Sequence, residues 1–395
     1  MIKLKYVNGQ KILPKKLLNE IRGYIEGVYL YIPKVDTQRN KWGEKTNYKS
    51  EMILRNQRIY DEYMQRGDIL AISECFHLST QSIRRIILEQ KRKGEPLTVM
   101  ISELIKQWGI ECNPVQIYHS AWNINDTYIL KVYHDSHALQ RNIVMMRTLK
   151  EEGIPVPGII RLPDGRDYLE SEDKLYVLTT KLQGSNIVNL MEYKEDWFFE
   201  FGRILANLHL AFLKCESKIS YWNNSMIEEM RGWVSRDLLK FNPDYLTQDE
   251  IKETVNELAD VYEELPKQLI HRDVNLGNFL FDKGAFSGYI DFDLSQRNIR
   301  IFDLCYFLLG LYSGDAKFQL KEKEWYNIVR QVVRGYHSIA KLNFTEIKAL
   351  VVVMKNIELL FVAYFLGIGD EKSAKDAADL YAFVKLNEKN INEKI

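Results

Sequence analysis

Leu269-Ile270-His271-Arg272-Asp273-Val274-Asn275-Leu276-Gly277-Asn278-Phe279-Leu280-Phe281 is followed, after a turn, by Tyr289-Ile290-Asp291-Phe292-Asp293. Two apolar runs flank a polar loop that holds His, Asp and Asn at its positions 1, 3 and 8, and a further apolar run delivers an Asp at its end. Phosphoryl transfer needs such a set. One carboxylate accepts the proton of the acceptor hydroxyl, while an Asn and a second carboxylate supply hard oxygen ligands for Mg2+.

Outward from this stretch the pattern changes twice. Toward the C-terminus, and back to about Gly184, it is mostly helical, with Trp197, Phe201, Ile204, Leu205, Leu208 and Phe212 on one face. Between residues 96 and 184 it is strand-rich. Short β-like runs at Val115–His119 and Thr127–Tyr133 precede a helix marked by Leu139, Ile143, Met146 and Leu149, which should stop at Gly153. Two more strand candidates follow, Asp167–Ser171 and Leu175–Lys181. Before them, Ile101, Leu104, Ile105 and Trp108 fall at the spacing of one amphipathic helix ending at Gly109. Lys93-Gly94-Glu95-Pro96 is a stop signal that separates all of this from an N-terminal segment of about 95 residues.

The catalytic segment resembles that of the aminoglycoside phosphotransferase and choline kinase superfamily, a small-molecule branch of the protein-kinase-like fold, and the resemblance covers about residues 97–395. It implies an α+β, bilobal kinase-like fold with a small strand-rich lobe (96–184) and a mostly helical lobe (185–395) that carries catalysis and acceptor binding. It implies Asp273 as catalytic base, Asn278 and Asp291 as Mg2+ ligands, and His271 as a packing residue beneath the loop. Asp303 matches an aspartate that braces that loop. In Tyr128-Ile129-Leu130-Lys131-Val132, Lys131 matches the lysine that meets the phosphates of ATP or GTP. Leu175 to Gly184 resembles the hinge, where backbone groups from Thr180 to Leu182 would pair with the base. His209, in Leu205-Ala206-Asn207-Leu208-His209, matches a family helix motif and reads as a core histidine.

Two departures stand out. The stretch Tyr118 to Asp126, where the family carries a loop over the phosphates, contains no glycine. The helix position whose glutamate usually holds the strand lysine is Asn142. Either Asn142 bonds Lys131 neutrally, or another acid substitutes, or nucleotide binding is impaired. Asp293 could serve the metal or the acceptor site. Only nine residues, Leu294 to Phe302, separate Asp293 from Asp303, too few for a peptide-docking segment, so the expected acceptor is a small molecule with a hydroxyl. Tyr306, Tyr312, Trp325, Glu358, Phe361, Tyr364 and Phe365 offer aromatics beside an acid, which suits a cationic acceptor, although helical spacing also suits a core.

The N-terminal segment is basic. Residues 1–110 carry a net +8, against −2 for 111–185 and −6 for 186–395, so the overall balance of 54 basic and 54 acidic side chains conceals an asymmetry. A short helix after Gly67-Asp68, a turn at Phe76–Ser79 and a second helix from about Thr80 to Arg92 form an all-α helix-turn-helix pattern. Ile83, Ile86 and Ile87 can pack inward, leaving Gln81, Arg84, Arg85 and Lys91 to face outward toward DNA. Together with Ile21–Gly27, Tyr31-Ile32-Pro33, Trp42-Gly43 and Arg55-Asn56, this stretch resembles the Mor transcription activator type of DNA-binding domain. A docking module with a solvated positive face is the alternative.

Four scattered cysteines without a C-x-x-C pair argue against a zinc ribbon or a disulfide framework and suit a reducing cytoplasm. The most apolar stretch, Ala349–Gly369, is interrupted by Lys355, Asn356 and Glu358, so no membrane partner is expected. The expected activity is a Mg2+- and ATP- or GTP-dependent small-molecule kinase. The rival is a transcription regulator whose kinase-like body senses a nucleotide or metabolite without catalysis.

Overall fold

The computed structural model describes residues 97–394 apart from 119, 187–194 and 313–319, together with Ile59, Ile72, Phe76, Thr80, Ile83, Arg84, Ile86 and Ile87. The chain divides into two compact units, Met1–Leu97 and Thr98–Ile395. In the first, the eight described positions are helical, and Ile59, Ile72, Ile83, Ile86 and Ile87 form one buried cluster with Phe76 against it. Arg84 is exposed. Phe76 is part of a helix rather than the start of a turn, because its ring is needed in that cluster. Gln81, Arg85 and Lys91 lie outside the described residues.

The second unit begins with α1 (Leu97–Ile105), extended by a 3-10 turn to Trp108 and closed by Gly109 at φ 72°. The sheet follows, with β1 (Pro114–Tyr118), β2 (Ala121–Ile124) and β3 (Tyr128–Tyr133), then α2 (Ser136–Glu151), and β4 (Ile159–Ile160), β5 (Leu169–Ser171) and β6 (Lys174–Thr180). All pairs are antiparallel, in the order β1-β2-β3-β6-β4, with β5 also on β6. Alternation along β6 sorts its side chains to two faces. Tyr176 and Leu178 pack with Ile101, Ile105 and Trp108, while Leu175 and Val177 pack with Leu139 and Ile143 of α2. Asp135 caps α2 by accepting from the N–H groups of His137 and Ala138.

The stretch read as a loop over the phosphates is largely strand. Ala121, Trp122 and Ile124 of β2 are buried, and burying them in the sheet outweighs the loop reading, so only residues 119 and 120 separate β1 from β2.

The helical part contains α3 (Glu195–Glu216), α4 (Met226–Glu229), which runs through a π turn (Met230–Val234) into α5 (Ser235–Phe241), and α6 (Gln248–Tyr262). Then come β7 (Lys267–Ile270), β8 (Phe279–Asp282), β9 (Ala285–Tyr289) and β10 (Gln296–Ile299). Last are α7 (Ile301–Tyr312), α8 (Glu322–Ile339), α9 (Phe344–Ile368), α10 (Glu371–Leu386) and α11 (Glu388–Asn392). α3 and α8 cross backbone to backbone. A Cβ on Gly335 would stand 1.9 Å from the Phe199 carbonyl oxygen, and one on Gly202 would stand 2.1 Å from that of Val332, so both positions require the absence of a side chain. The crossing seats Phe201 against Phe307, with ring centroids 3.8 Å apart.

α9 is long and apolar enough to cross a membrane by length and composition, yet most of it is buried among the other helices. Lys355, buried within it, is held by Glu257 at 2.5 Å and Glu388 at 3.0 Å.

Candidate active site

β7 ends at Ile270 and β8 begins at Phe279, which leaves the polar loop suspended between two short strands. Its path is fixed from below by Asp303, in the first turn of α7 and fully buried. Asp303 Oδ2 accepts the His271 N–H at 2.8 Å and Oδ1 accepts the Arg272 N–H at 2.9 Å. His209 Nε2 lies 2.9 Å from Oδ2, and its Nδ1 lies 2.7 Å from the Tyr336 hydroxyl. This clamp holds Arg272 at φ 72°, a left-handed conformation that a non-glycine residue adopts only when its surroundings compel it. The Arg272 guanidinium sits over the Phe302 ring and donates to Glu229 at 3.0 Å. His271 is buried, with Nε2 3.3 Å from the Ile290 carbonyl, and burial pushes its pKa below the ordinary histidine value.

Above the clamp, Asp273 is oriented by three donors. Its Oδ1 accepts from Asn275 Nδ2 at 2.7 Å and from the Tyr306 hydroxyl at 3.1 Å, and its Oδ2 accepts from Asn278 Nδ2 at 2.8 Å. Asn278 Nδ2 also donates to the Asp273 carbonyl at 2.9 Å, so both its hydrogens are committed and its Oδ1 is turned to other use.

Asp291, at φ 65°, meets Lys131 of β3, whose Nζ is 2.9 Å from Oδ1. Burial works against the Asp291 charge, but Lys131 outweighs it and holds the carboxyl below its ordinary value. Burial likewise opposes the Lys131 charge, and Tyr133, Asp293 and Asp291 together raise its pKa above that of an ordinary lysine.

Asp293 stands between Asn142 and Lys131. Lys131 Nζ is 3.4 Å from Asp293 Oδ2, while Asp293 Oδ1 accepts from Asn142 Nδ2 at 2.8 Å and from the Tyr133 hydroxyl at 2.9 Å. The helix supplies an amide, and an acid in the Phe292–Ser295 turn, Asp293, bridges helix to lysine. Nothing in the local sequence announces this partnership, because Asp293 and Asn142 are 151 positions apart.

Lys131, Tyr133, Asn142, Asp291 and Asp293 line a cleft of about 260 Å3, with Ile117, Ile129, Met146, Val177, Leu280 and Ile290 as apolar walls. Thr180 and Leu182 line it too. The Thr180 N–H donates to the Gly158 carbonyl at 2.8 Å, its hydroxyl accepts the Gly158 N–H, and the Lys181 N–H donates to the Thr127 carbonyl. Sheet and turn pairing thus use the Thr180 N–H and hydroxyl. Just beyond, Gly184 at φ 107° lets the chain pass β8, where a Cβ would stand 2.7 Å from the Phe281 carbonyl oxygen.

The C-terminal aromatics divide into two sets. Tyr312 and Trp325 pack with Phe383, at centroid distances of 4.4 and 5.6 Å, and are core. Tyr306 stacks on Phe361 at 5.8 Å, and Phe361 on Phe365 at 5.9 Å, a row that leads away from Asp273.

A strand lysine facing a metal-type aspartate across a cleft, over a braced Asp/Asn loop, is the layout of a kinase-like phosphotransferase. The sequence profile of the phosphotransferase enzyme family matches residues 116–341, and the chain belongs to that family. The homoserine kinase of Methylobacillus flagellatus (strain ATCC 51484 / DSM 6875 / VKM B-1610 / KT) is 24% identical over 305 residues, 74% of this chain and 89% of that protein. The uncharacterized protein YraL of Bacillus subtilis (strain 168) is 33% identical over 84 residues, which is 21% of this chain and 97% of YraL. Among solved structures, the amicoumacin kinase hAmiN in complex with AMP-PNP, Ca2+ and Ami superposes with a TM-score of 0.55 at 16% identity, covering 78% of this chain and 96% of hAmiN. That likeness is one of fold.

Proposed function

We propose that the chain transfers the γ-phosphoryl group of ATP or GTP, with Mg2+, to the hydroxyl of a small acceptor that also carries an ammonium group. The observation that supports this reading is the hydrogen-bonded pair Asp273 and Asn278 joined to the ion pair of Lys131 and Asp291 through the Ile290 N–H, which donates to the Asn278 carbonyl at 3.0 Å. The donor set fits the cation. Asn278 Oδ1 and Asp291 Oδ2 are hard oxygens, and no group of three or more His, Cys, Asp or Glu forms a closed cage among the described residues, so the nucleotide's phosphates would complete the shell. When bound, Mg2+ neutralises charge on the phosphates. Asp273 orients the acceptor hydroxyl and takes its proton, Lys131 holds the phosphate chain, and the Asp303 clamp keeps Asp273 in place. The three described cysteines, Cys112, Cys215 and Cys305, are unpaired, which suits a cytoplasmic enzyme.

Calorimetric titration with ATP and GTP, with and without Mg2+, tests the site before any acceptor is known. Binding that depends on Mg2+ and vanishes in Asp291→Ala is the expected result. Absence of binding to either nucleotide would leave only the sensor reading for the body.

For the acceptor, the homoserine kinase relative supports a hydroxyl on an amine-bearing molecule, and so does Glu358. It lies on α9 one turn before Phe361, is buried, and makes no hydrogen bond or ion pair among the described residues. Burial pushes its carboxyl up to about 8. It is near enough to Tyr306 to disfavour that residue's phenolate. A buried acid with no partner costs stability, which makes sense if an incoming ammonium ion supplies the partner. Because the folded pKa exceeds the ordinary glutamate value of 4.5, the unfolded chain releases this proton first, and stability falls as pH rises from that value to about 8. Glu358→Gln should therefore raise the melting temperature, with a gain near zero at the acid end of that window and largest at its alkaline end. The same change should raise the acceptor KM by roughly ten-fold or more, the loss of one charge-assisted contact. An unchanged acceptor KM with the stability gain intact would remove Glu358 from the acceptor site.

A further inference from the structure

A second cavity, of about 280 Å3, adjoins the cleft, and Asn142 and Asp293 line both. It is far larger than the roughly 10–15 Å3 that one water requires. Its lining is rich in donors that have nothing to donate to. Arg272 Nη1, Ser295 Oγ and Gln296 Nε2 are buried atoms without a hydrogen-bond partner, and Gln296 is only 3% exposed. The Arg141 guanidinium, from α2, makes no hydrogen bond or ion pair among the described residues. The two carboxylates in the wall are already engaged. Glu229 accepts from Arg272 Nη2, and Asp293 is held by Lys131, Tyr133 and Asn142. Buried donors are normally satisfied, so these three, one on a charged guanidinium, with the half-buried Arg141 beside them, call for an acceptor that the chain does not provide.

We propose that this cavity binds a small phosphate-type oxyanion, separate from the phosphates of the nucleotide. Such an anion would accept from Arg141 on α2, from Arg272 on the polar loop, and from Ser295 and Gln296 after Asp293. It would tie together the three segments whose alignment sets Asn142, Asp273 and Asp293. Two sources share this chemistry, free phosphate and a phosphorylated product.

The test is calorimetric titration of the nucleotide-free full chain with inorganic phosphate, at an ionic strength held constant with chloride. Saturable one-to-one binding is expected. It should weaken at least ten-fold in Arg141→Gln and weaken less in Arg141→Lys, which keeps the charge but loses the forked donors. Phosphoethanolamine as a second probe distinguishes the sources, since tighter binding than phosphate assigns the site to a phosphorylated product and weaker binding assigns it to free phosphate. No saturable binding at millimolar phosphate overturns the proposal. So does wild-type affinity in Arg141→Gln, since Arg141 lines the second cavity and not the nucleotide cleft. The readout needs no turnover, so the site stands or falls apart from the kinase reading.

Discussion

Asp273→Asn should lower kcat by about a hundred- to ten-thousand-fold, the usual contribution of a positioned general base, while nucleotide affinity stays within about two-fold of wild type. The substitution removes the proton acceptor but preserves shape. Asp273 accepts from Asn275, Tyr306 and Asn278, and an amide in its place can still accept on one oxygen. The cost to stability should be about 1 kcal/mol, since at least one of those donors loses its acceptor. Lys131 and Asp291 are untouched, so calorimetry with a Mg2+-nucleotide should look nearly normal when steady-state turnover is gone. Nucleotide binding lost along with turnover would contradict the role assigned to Asp273.

The second large effect is expected at Asp293. Asp293→Ala strips Lys131 of one of its two carboxylates and leaves Asn142 and Tyr133 without their shared acceptor. Loss of a charge-assisted contact of this kind corresponds to roughly ten- to a hundred-fold in kcat/KM. Most of it should appear in the nucleotide KM, because Lys131 is the group left misplaced. A merely structural role predicts no rescue, whereas the positioning role does. Asn142→Glu should recover much of the loss in the Asp293→Ala background by returning an acid to the helix, yet should impair the otherwise unaltered protein by setting two carboxylates side by side. If Asn142→Glu hurts equally in both backgrounds, Asp293 does not stand in for the helix acid.

The parts legible in the sequence were those whose partners lie close along the chain or whose pattern is periodic. The His271 to Asn278 spacing, Lys131 within an apolar strand run, and the α2 stripe of Leu139, Ile143, Met146 and Leu149 all translate directly into neighbouring positions in space. β2 was hidden because Trp122-Asn123-Ile124 is short and its polar Asn123 breaks the apolar run, and only pairing with β1 and β3 makes it a strand. The contact of Asn142 with Asp293 was not legible because the two lie 151 positions apart in the chain. For the same reason the aromatic residues of α7 to α9 could not be divided into wall and core before the helices were packed.

The brevity of the link between β1 and β2 bears on time as well as shape. With only residues 119 and 120 there, the phosphate end of the cleft has no long flap from the sheet to fold over it. In enzymes that close such a flap, its reopening often limits how fast spent nucleotide leaves. If the proposed function holds, departure would involve breaking contacts with Lys131 and the cation but no opening of that flap. Occupancy of the cleft would then follow the surrounding nucleotide concentration promptly, and turnover would be paced by the acceptor side.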